Sequence, residues 1–536
     1  MPTIDQSSGT IPMLPPLDYR AAALWSRPAG LGLAWSSTTI TYSFPTAGSV
    51  FGNPYVVAGD ETDTAPEFQP FNAAQREAAR AALKAWSDVI DIRFQEVPDT
   101  ASGVGDIRFA FTTMQDPYVA AYAYYPSSAY PAAGDVWVSD AYINSAMKPG
   151  SFSFLALIHE LGHALGLSHP FGQDSARSTP ALPSDEDNVS RTLMSYTPYK
   201  DSQAAATPMP YDILAAQWIY GANKSYNAGD TVYRFDVNKP YFQTIWDGGG
   251  NDTLSANAPE FYTGYRGAII DLRSGEMSSI GTLNQGYSEE SWYSQNITIA
   301  YNCVIENAEG TLSSDLLIGN EANNRLIGHG GGAGTDALDG HGGADTVVLD
   351  GPRADYGLIV GGIDAARYLP AKDVSPRPDG NTPDLLIAPL RANLTTYDAA
   401  KFGGTVTRNV ERVEFTDAKI AFDMDGNAGK VAKAITLLWG RETLANRDYV
   451  GVGLKLLDGG WSYEQLMAAA IDLVVGPNAS NAQVASRLAG SGSVYESLLN
   501  NGQISKGSLG VLIAEGAGNL QRVDLVGLQA SGLEYL

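Results

Sequence analysis

The stretch HELGHALGLSHP, residues 159–170, decides how this sequence is interpreted. Its first two histidines, His159 and His163, lie four positions apart, so on a helix both imidazoles project from one face, one turn apart. Gly166 permits the helix to end in a left-handed turn, which would bring His169 back towards the same point. Three neutral imidazoles around one open position are a ligand set of catalytic zinc. The spacing therefore predicts a zinc site formed by these three histidines.

Glu160 follows the first histidine, where its carboxylate can reach a water molecule on the metal. The alternative is an amphipathic helix whose histidines are satisfied within a core. Three of the five histidines of the chain fall within this short stretch. The flanking residues 154–165 are apolar on most sides, as expected for a helix that crosses a domain core. The catalytic interpretation, with Glu160 as general base, is therefore preferred.

A second motif, TLMSYTPY, follows after a loop rich in Pro, Ser and Asp. Met194 lies 25 positions beyond His169 and could pack beneath the three histidines as an apolar support. Tyr196 follows two positions later, and its hydroxyl could bind the zinc or donate a hydrogen bond to a developing oxyanion. Without the zinc motif, the same residues would be interpreted as ordinary core and loop positions.

The composition restricts the kinds of partner and the ways of stabilising the fold. A chain of 536 residues exceeds a single core, and about three or four domains are expected. The net charge of -25 argues against nucleic acid or an anionic membrane as a partner and is typical of chains that hold calcium. Cys303 is the only cysteine, so no intrachain disulfide can form. No stretch is long enough to span a bilayer, and residues 1–17 lack the pattern of a signal peptide.

Hydrophobic periodicity predicts an α+β domain around the zinc motif. The clearest helix covers residues 71–90, where Asn72 is the expected N-cap and Gln75 stands three positions later. The other predicted elements are helices at 18–25 and 210–220 and strands at 39–44, 92–97, 106–111 and 134–139. We expect a twisted sheet packed on helices, with the strand at 134–139 (GDVWVS) forming the edge of the substrate cleft.

Several motifs in this order resemble the serralysin-type metalloproteases of the metzincin class. The zinc motif is followed by LMSY (193–196), YGAN (220–223), GDTVY (229–233) and WDGGGND (246–252), and the similarity covers about residues 18–350. The resemblance implies zinc ligation by His159, His163 and His169, with Glu160 as general base. It also implies that Tyr196 is a retractable fifth zinc ligand and that Met194 is a structural methionine beneath the site.

Glycine and aspartate become frequent after residue 247, with an apolar residue at regular steps. Leu317, Leu326, Leu338 and Val347 are separated by nine, twelve and nine positions, and an acidic or amide residue stands two positions before each. The nonapeptide G-G-x-G-x-D-x-U-x occurs in full at residues 331–339. This pattern predicts a parallel β-roll that binds calcium, whereas a glycine-rich linker would not keep the register. The expected calcium ligands are Gly229, Thr231, Asp247, Gly249, Asp252, Glu306, Asp315, Gly331, Gly334, Asp336 and Asp345.

The remainder of the chain completes a multidomain prediction. We expect a leader or short propeptide (1–17), a zinc metalloprotease domain (18–223), a calcium-binding β-roll with RTX repeats (224–350), a β-rich module (351–428) and a helical C-terminal bundle (429–536). The last two segments weakly resemble modules that follow calcium-binding repeats in adhesive or surface-layer proteins. They could therefore contact a surface-layer or cell-surface partner.

The predicted function is hydrolysis of peptide bonds within protein substrates, with Zn²⁺ and Ca²⁺ as cofactors. A bound peptide would add as an antiparallel strand beside the zinc helix. The resemblance implies export without a signal peptide, by a type I route that reads a C-terminal signal, to the outside of the cell or its surface. Two alternatives remain open: a calcium-held surface-layer or adhesin-associated protein, and a processing enzyme that cuts one partner only.

Overall fold

The computed structural model describes residues 9–13, 16–25, 32–56, 65–171, 181–199, 204–235, 242–257, 267–280, 295–329, 335–361, 384–389 and 404–536. Contacts divide the chain into two compact units. The first unit comprises Met1–Asp252 and Arg273–Ile305, and the second comprises Thr253–Leu272 and Glu306–Leu536. No helix within these described ranges is long and apolar enough to cross a membrane.

Helices and strands are numbered here in chain order. The strands are β1 (Thr10–Met13), β2 (Gly32–Trp35), β3 (Thr39–Ser43), β4 (Gln69–Pro70), β5 (Arg93–Glu96), β6 (Ile107–Thr112), β7 (Ala121–Ala123), β8 (Val136–Ser139), β9 (Val232–Arg234), β10 (Gln243–Ile245), β11 (Thr253–Ser255), β12 (Ile269–Asp271), β13 (Met277–Ser278), β14 (Ile297–Ile299), β15 (Asn307–Glu309), β16 (Leu316–Ile318), β17 (Arg325–Ile327), β18 (Asp336–Asp339), β19 (Thr346–Val348), β20 (Tyr356–Val360), β21 (Leu385–Pro389), β22 (Thr405–Arg408), β23 (Arg412–Glu414), β24 (Lys419–Ala421) and β25 (Leu533–Tyr535). The α-helices are α1 (Tyr19–Ala23), α2 (Ala73–Val89), α3 (Phe152–Ala164), α4 (Pro210–Tyr220), α5 (Asn427–Trp439), α6 (Arg447–Asp458), α7 (Tyr463–Val475), α8 (Asn481–Ala489), α9 (Tyr495–Asn500), α10 (Lys506–Ala514), α11 (Ala517–Val523) and α12 (Leu525–Ser531).

The first unit contains a twisted sheet in the order β5-β3-β6-β8-β7, with β4 paired to β6. Strands β5, β3, β6 and β8 are parallel, and β7 is antiparallel to β8. Helix α2 begins with the predicted capping box: the Gln75 N–H donates to Asn72 Oδ1 at 3.0 Å, and the Asn72 N–H donates to Gln75 Oε1 at 2.8 Å. The predictions for residues 71–90 and for helix 210–220 are therefore confirmed.

The edge of this sheet differs from the prediction. The predicted edge strand at 134–139 is β8, which is buried throughout and pairs on both sides. The edge is β7, Ala121–Ala123, a short strand that the sequence analysis did not identify. Its alternation of small and aromatic residues lacks the β-branched residues that usually mark a strand. The prediction that GDVWVS borders the cleft was wrong, because β7 lies between β8 and the open edge.

Smaller sheets complete the first unit. Strand β1, part of the predicted leader, pairs antiparallel with β2. Strand β14 pairs with β10 in parallel and with β13 in antiparallel orientation.

The second unit contains two sheets of mainly parallel strands. One has the order β11-β15-β17-β19-β23-β24-β25, and the other has the order β12-β16-β18-β22-β21-β20. Successive strands from β15 to β19 alternate between the two sheets. The apolar residues of the repeat, Leu317, Leu326, Leu338 and Val347, are all buried in these strands. The parallel stacking continues beyond residue 350, because β22 and β23 add one further strand to each sheet.

Helices α5–α12 follow β24, and the chain then returns to the sheet. Strand β25 pairs antiparallel with β24, with Ala421 opposite Leu533. These two residues share a hydrophobic core with α5, α6 and neighbouring helices, to which Val431, Leu454 and Val523 contribute. The helical segment is therefore inserted between two neighbouring strands of one sheet, a topology that the prediction of a separate helical bundle did not include.

Candidate active site

The zinc motif lies on α3, which crosses the core of the first unit. Ser151 caps the helix by accepting a hydrogen bond from the Phe154 N–H at 3.2 Å. The indole N–H of Trp86 donates to the Ile158 carbonyl at 3.1 Å, and that of Trp35 donates to the Ala164 carbonyl at 2.8 Å. These contacts hold the helix on both sides. His159 and His163 therefore project from a rigid element.

A tight turn brings the third histidine to the other two. Gly166 adopts a φ of +105°, which favours glycine, and a Cβ there would lie 3.0 Å from the Leu33 carbonyl oxygen. After this turn, His169 Nε2 lies 3.3 Å from His159 Nε2 and 3.1 Å from His163 Nε2. Within the described part of the chain, these histidines form the only group of three metal-binding side chains that comes together.

Hydrogen bonds at the other ring nitrogen, Nδ1, define the tautomers of His159 and His163. His159 Nδ1 lies 2.6 Å from the Leu193 carbonyl oxygen, and His163 Nδ1 lies 2.7 Å from the Leu167 carbonyl oxygen. A carbonyl only accepts, so each Nδ1 carries a proton and each Nε2 presents a lone pair towards the shared centre. Burial lowers the pKa of His159 to about 4 and so keeps its ring neutral.

These three nitrogens fit a zinc ion. Zinc binds imidazole nitrogen at about 2.0 to 2.1 Å, which in a tetrahedral site places nitrogens about 3.3 Å apart. The observed separations of 3.1 and 3.3 Å match that spacing. Neutral imidazoles that direct lone pairs at one point repel each other unless a cation lies between them. The donor set of His159, His163 and His169 is therefore suited to hold zinc.

Glu160 lies beside this centre in a nearly dry environment. Its side chain is buried, and its Oε2 has no hydrogen-bond partner among the residues that the structure describes. Burial raises the pKa of Glu160 to about 8, while a hydrogen bond from the Ala123 backbone counteracts this rise. Its position beside the three histidines suits this carboxyl group to exchange a proton with a water molecule there, as a general base does.

Tyr196 and Met194 occupy the positions that the sequence predicts. The Tyr196 hydroxyl lies 2.8 Å from His169 Nε2, and its ring stacks on His159 at 5.7 Å between centroids. Tyr196 is 65% exposed, and partial desolvation together with the nearby Glu160 raises its pKa to about 12, so the phenol keeps its proton. Met194 is fully buried, and a Cβ at Gly162 would come within 2.7 Å of its sulfur. Met194 therefore packs directly under α3.

Asp212 on α4 supports the site and was missed by the sequence analysis. Its carboxylate accepts hydrogen bonds from the Thr192 hydroxyl (2.6 Å), the Leu193 N–H (2.7 Å) and the Met209 N–H (2.8 Å). The carbonyl of Leu193 in turn orients His159. Asp212 therefore links α4 to residues 192–194, the turn that contains Met194 (the Met194 turn). Only its position near the start of a helix after the LMSY motif could have suggested this role.

A cleft of about 530 Å³ extends from His159 along the edge of the sheet. His159, Glu160 and Tyr196 line one part of it. The remaining walls are mostly apolar and come from β7 and the residues before it, the start of α3 and the segments on both sides of Met194; they include Tyr118, Val119, Ala121, Phe152, Leu155, Val189 and Pro198. The cleft therefore connects the candidate metal centre to the open edge of a β-sheet, where an extended chain can be bound.

The candidate calcium residues of the first unit form a local network. The Gly249 N–H donates to Asp247 Oδ1 at 2.7 Å, and the Tyr233 hydroxyl donates to Asp247 Oδ2 at 2.6 Å. Asp252 Oδ1 accepts from the Thr231 N–H at 2.8 Å. The Thr231 hydroxyl donates to the Gly229 carbonyl at 2.9 Å. The sequence-predicted residues are therefore brought together, with both aspartates buried.

In the second unit, the predicted aspartates stand at equivalent places in successive turns. Asp336 Oδ1 accepts from the Asp315 N–H at 3.1 Å, and Asp345 Oδ1 accepts from the Asn324 N–H at 2.7 Å. The second oxygens of Asp336 and Asp345 are buried without a hydrogen-bond partner in the described ranges. The Glu306 carbonyl accepts from the Asn324 side chain at 2.9 Å. Gly331 and Gly334, also predicted as ligands, lie outside the described residues.

The two histidines outside the zinc motif have a different environment. His329 and His341 both adopt positive φ values, 54° and 70°, at positions where the repeat usually has glycine. His329 lies between Glu309 and Asp350, at 3.2 and 2.9 Å. His341 lies 3.1 Å from Glu321. Each is therefore paired with carboxylates.

Comparison with known families and proteins agrees with this geometry. Residues 63–182 match the family described as Matrixin, and residues 211–373 match the family described as Peptidase M10 serralysin C terminal. The chain is 34% identical over 360 residues to Serralysin from Proteus mirabilis, which covers 59% of this chain and 67% of that protein. It is 33% identical over 319 residues to Serralysin G from Dickeya chrysanthemi, covering 54% and 61%. It is 32% identical over 316 residues to Metallopeptidase AprA from Pseudomonas marginalis, covering 53% and 61%.

The aligned relatives and the geometry of the site therefore indicate the same class of protein, a metalloendopeptidase. The chain spans about two thirds of the Proteus mirabilis protein and somewhat less of the other two. These matches favour a metalloendopeptidase over the surface-layer alternative. With three convergent histidines, a buried glutamate and a tyrosine beside an open sheet edge, this chain belongs to the serralysin family of M10 metalloendopeptidases.

Proposed function

We propose that this chain hydrolyses internal peptide bonds of protein substrates, with zinc held by His159, His163 and His169. The observation that carries the proposal is that His169 Nε2 lies within 3.3 Å of both His159 Nε2 and His163 Nε2, beside the buried carboxyl of Glu160. When bound, zinc supplies a Lewis acid that polarises the scissile carbonyl and acidifies a water molecule. The residues of the chain position the substrate and move the protons.

The substrate would bind along β7. The Ser139 backbone N–H donates to the Ala120 carbonyl, and the Tyr124 backbone N–H donates to the Asp135 carbonyl. Residues 120, 122 and 124 therefore direct their backbone groups towards β8. The backbone groups of Ala121 and Ala123 then point away from β8; the Ala123 N–H donates to Glu160, whereas the groups of Ala121 face the open edge. A peptide that adds there as an antiparallel strand is held mainly through its backbone. This arrangement is suited to an endopeptidase, because it does not require a chain end.

Glu160 and Tyr196 would perform the proton transfer and the charge stabilisation. Glu160 accepts the proton of the attacking water on its available Oε2 and later delivers it to the leaving nitrogen. Tyr196 keeps its phenolic proton and can donate a hydrogen bond to the oxyanion as the carbonyl becomes tetrahedral.

The proposal is tested by measuring metal content and hydrolysis in matched variants. The purified protein is expected to contain about one zinc and to cleave casein until a zinc-selective chelator is added. Glu160→Gln is expected to retain zinc but to lose hydrolysis by about 10²- to 10⁴-fold, as expected when a general base is removed. Glu77→Gln, an exposed change on α2 (73% exposed), serves as a control with unchanged activity. Casein cleavage by Glu160→Gln at the wild-type rate would refute the mechanism.

We also propose that the predicted β-roll of residues 224–350, whose repeat strands lie in the second unit, binds calcium. The support comes from the repeat positions: Asp336 and Asp345 each bury an oxygen without a hydrogen-bond partner among the described residues, and a hard cation would satisfy such an oxygen. Asp247 and Asp252, with Gly229, Thr231 and Gly249, form a further candidate site in the first unit. Glu306, Asp315, Gly331 and Gly334 complete the predicted ligands. Calcium titration followed by thermal unfolding tests this role.

The family resemblance further leads us to propose export from the cell. The measurement is the distribution of the protein between cells and culture medium. Retention of the full chain in cells under conditions that export other substrates of a one-step channel would contradict the proposal.

A further inference from the structure

Phe171 lies two positions after the third histidine, and its ring contacts both His169 and Tyr196. Its ring stacks on His169 with 4.8 Å between centroids and an interplanar angle of 11°. The same ring contacts Tyr196 at 4.9 Å, tilted by 47°. Tyr196 in turn lies 4.7 Å from the His169 ring. Phe171, His169 and Tyr196 therefore form one aromatic cluster beside the centre.

The segment that carries Phe171 is fixed at several points. The Ser168 N–H donates to the Leu24 carbonyl at 2.8 Å, and the Leu182 N–H donates to the Pro170 carbonyl at 3.0 Å. Pro170 itself is buried. The stacked ring is therefore attached to backbone whose position is defined on both sides of His169.

The third histidine gains most from such a contact. His159 and His163 are buried and emerge from α3, whereas His169 emerges from the turn beyond the helix and is only partly buried. A nearly parallel ring with its centroid 4.8 Å away restricts rotation of the imidazole about its side-chain torsions and keeps Nε2 directed at the other two nitrogens. Groups that orient a metal ligand contribute to metal affinity although they do not touch the metal.

We infer that Phe171 is a positioning residue, which holds His169 in its ligand orientation and provides the surface on which the Tyr196 ring rests. The inference rests on the proposed zinc-dependent function, because it concerns the same centre. Its two consequences are separable. Loss of the stack on His169 weakens retention of zinc, and loss of the contact with Tyr196 changes the catalytic rate of the enzyme that still holds zinc.

The test compares variants that separate ring stacking from apolar volume. Phe171→Leu keeps an apolar side chain but removes the planar ring, and Phe171→Tyr keeps the ring. We expect Phe171→Leu to lose zinc about three- to tenfold faster to a competing chelator, in line with the strength of an aromatic pair. With zinc in excess, we expect kcat to fall severalfold while KM for a peptide substrate stays unchanged. Phe171→Tyr restores both values, and Trp461→Ala, in the second unit, controls for loss of a partly exposed aromatic.

The outcomes distinguish this inference from the proposed function. A wild-type protein that binds no zinc contradicts the function itself. If the wild type binds zinc and Phe171→Leu releases it at the wild-type rate, the positioning role is overturned while the function stands. Equal losses in Phe171→Leu and Phe171→Tyr would also overturn it, because they would show that the exact size of the side chain, and not the ring, matters.

Discussion

At the scale of single residues, local spacing could predict the atoms that bind metal but not those that orient them. His159, His163 and His169 lie within eleven positions, so the helix and one turn determine their convergence. Asp212 acts on the same centre from α4, through Leu193. Such a contact depends on how two distant segments pack, and no periodicity in the sequence encodes it. The same holds for Phe171, whose role depends on the stacking geometry of the folded turn.

Asp212→Asn tests the support that this carboxylate provides. Both the Leu193 and Met209 N–H groups donate to Asp212 Oδ2. An asparagine side chain has only one oxygen. If that oxygen accepts from the two N–H groups, the NH₂ group faces the Thr192 hydroxyl; in the flipped orientation, the NH₂ group faces the two N–H groups. We expect the free energy of unfolding to fall by about 1 to 3 kcal/mol, the usual cost of leaving a buried polar group unsatisfied.

Urea unfolding of the zinc-loaded protein measures this change. Asp185→Asn, in the loop before the Met194 turn, is the matched control and should leave the midpoint unchanged. Equal stability of Asp212→Asn and wild type would show that α4 does not hold the turn in the way described.

At the scale of elements, helices were easier to predict than the sheet edge. Helix α2 has a capping box and a consistent apolar face, both of which are local in sequence. Strand β7 has three residues and gains its structure from pairing with β8. Its sequence therefore carries no independent signal, although β7 and not β8 borders the cleft. The fold class was predictable from pattern, whereas the identity of the binding edge required the three-dimensional pairing.

Ala121→Pro tests whether the backbone of β7 binds substrate. The Ala121 N–H points away from β8, so proline removes a donor from the open edge without removing a bond of the ladder. We expect kcat/KM for a long peptide to fall about fivefold to tenfold, equivalent to one hydrogen bond of about 1 kcal/mol. Steady-state kinetics on one peptide series provides the measurement. Ala121→Val, which retains the N–H, should behave as wild type; a similar loss in both variants would indicate a side-chain effect instead.

At the scale of the whole molecule, the repeat pattern predicted the parallel strands of the second unit but not where they end. The steps between Leu317, Leu326, Leu338 and Val347 correspond to successive strands in alternate sheets. Strands β22 and β23 continue the stacking without that pattern. They join the sheets because the last repeat strand of each sheet has unpaired backbone N–H and C=O groups. The return of the chain to the sheet at β25 was equally unpredictable, since its partner lies about 110 residues earlier.

Calcium removal should make the stability of the protein depend on pH. Burial raises the pKa of Asp315 to about 6 and that of Asp336 to about 8, from an ordinary 3.8. Between pH 4 and 8 the unfolded chain releases these protons while the folded chain retains them, so the contribution of these two groups to stability is full below pH 4 and is lost as the pH rises to about 8. We expect the melting temperature in EGTA to decrease from pH 5 to 9 and calcium to reduce that decrease.

Thermal unfolding at several pH values, with and without calcium, checks this expectation. Asp336→Asn removes one of the titrating groups and should flatten the decrease in EGTA. A melting temperature that rises with pH in EGTA would contradict the assigned direction of these shifts.

The pairing of β24 with β25 has a consequence for the order in which the protein folds. Joining two strands across about 110 residues of unfolded chain carries a large entropic cost. Helices α5–α12 pack on one another, and once folded they bring residues 421 and 533 together. The inserted helices thus act as a folding template for the last strand pair. A substitution that unfolds them would leave β24 as an exposed sheet edge, the kind of surface from which aggregation begins.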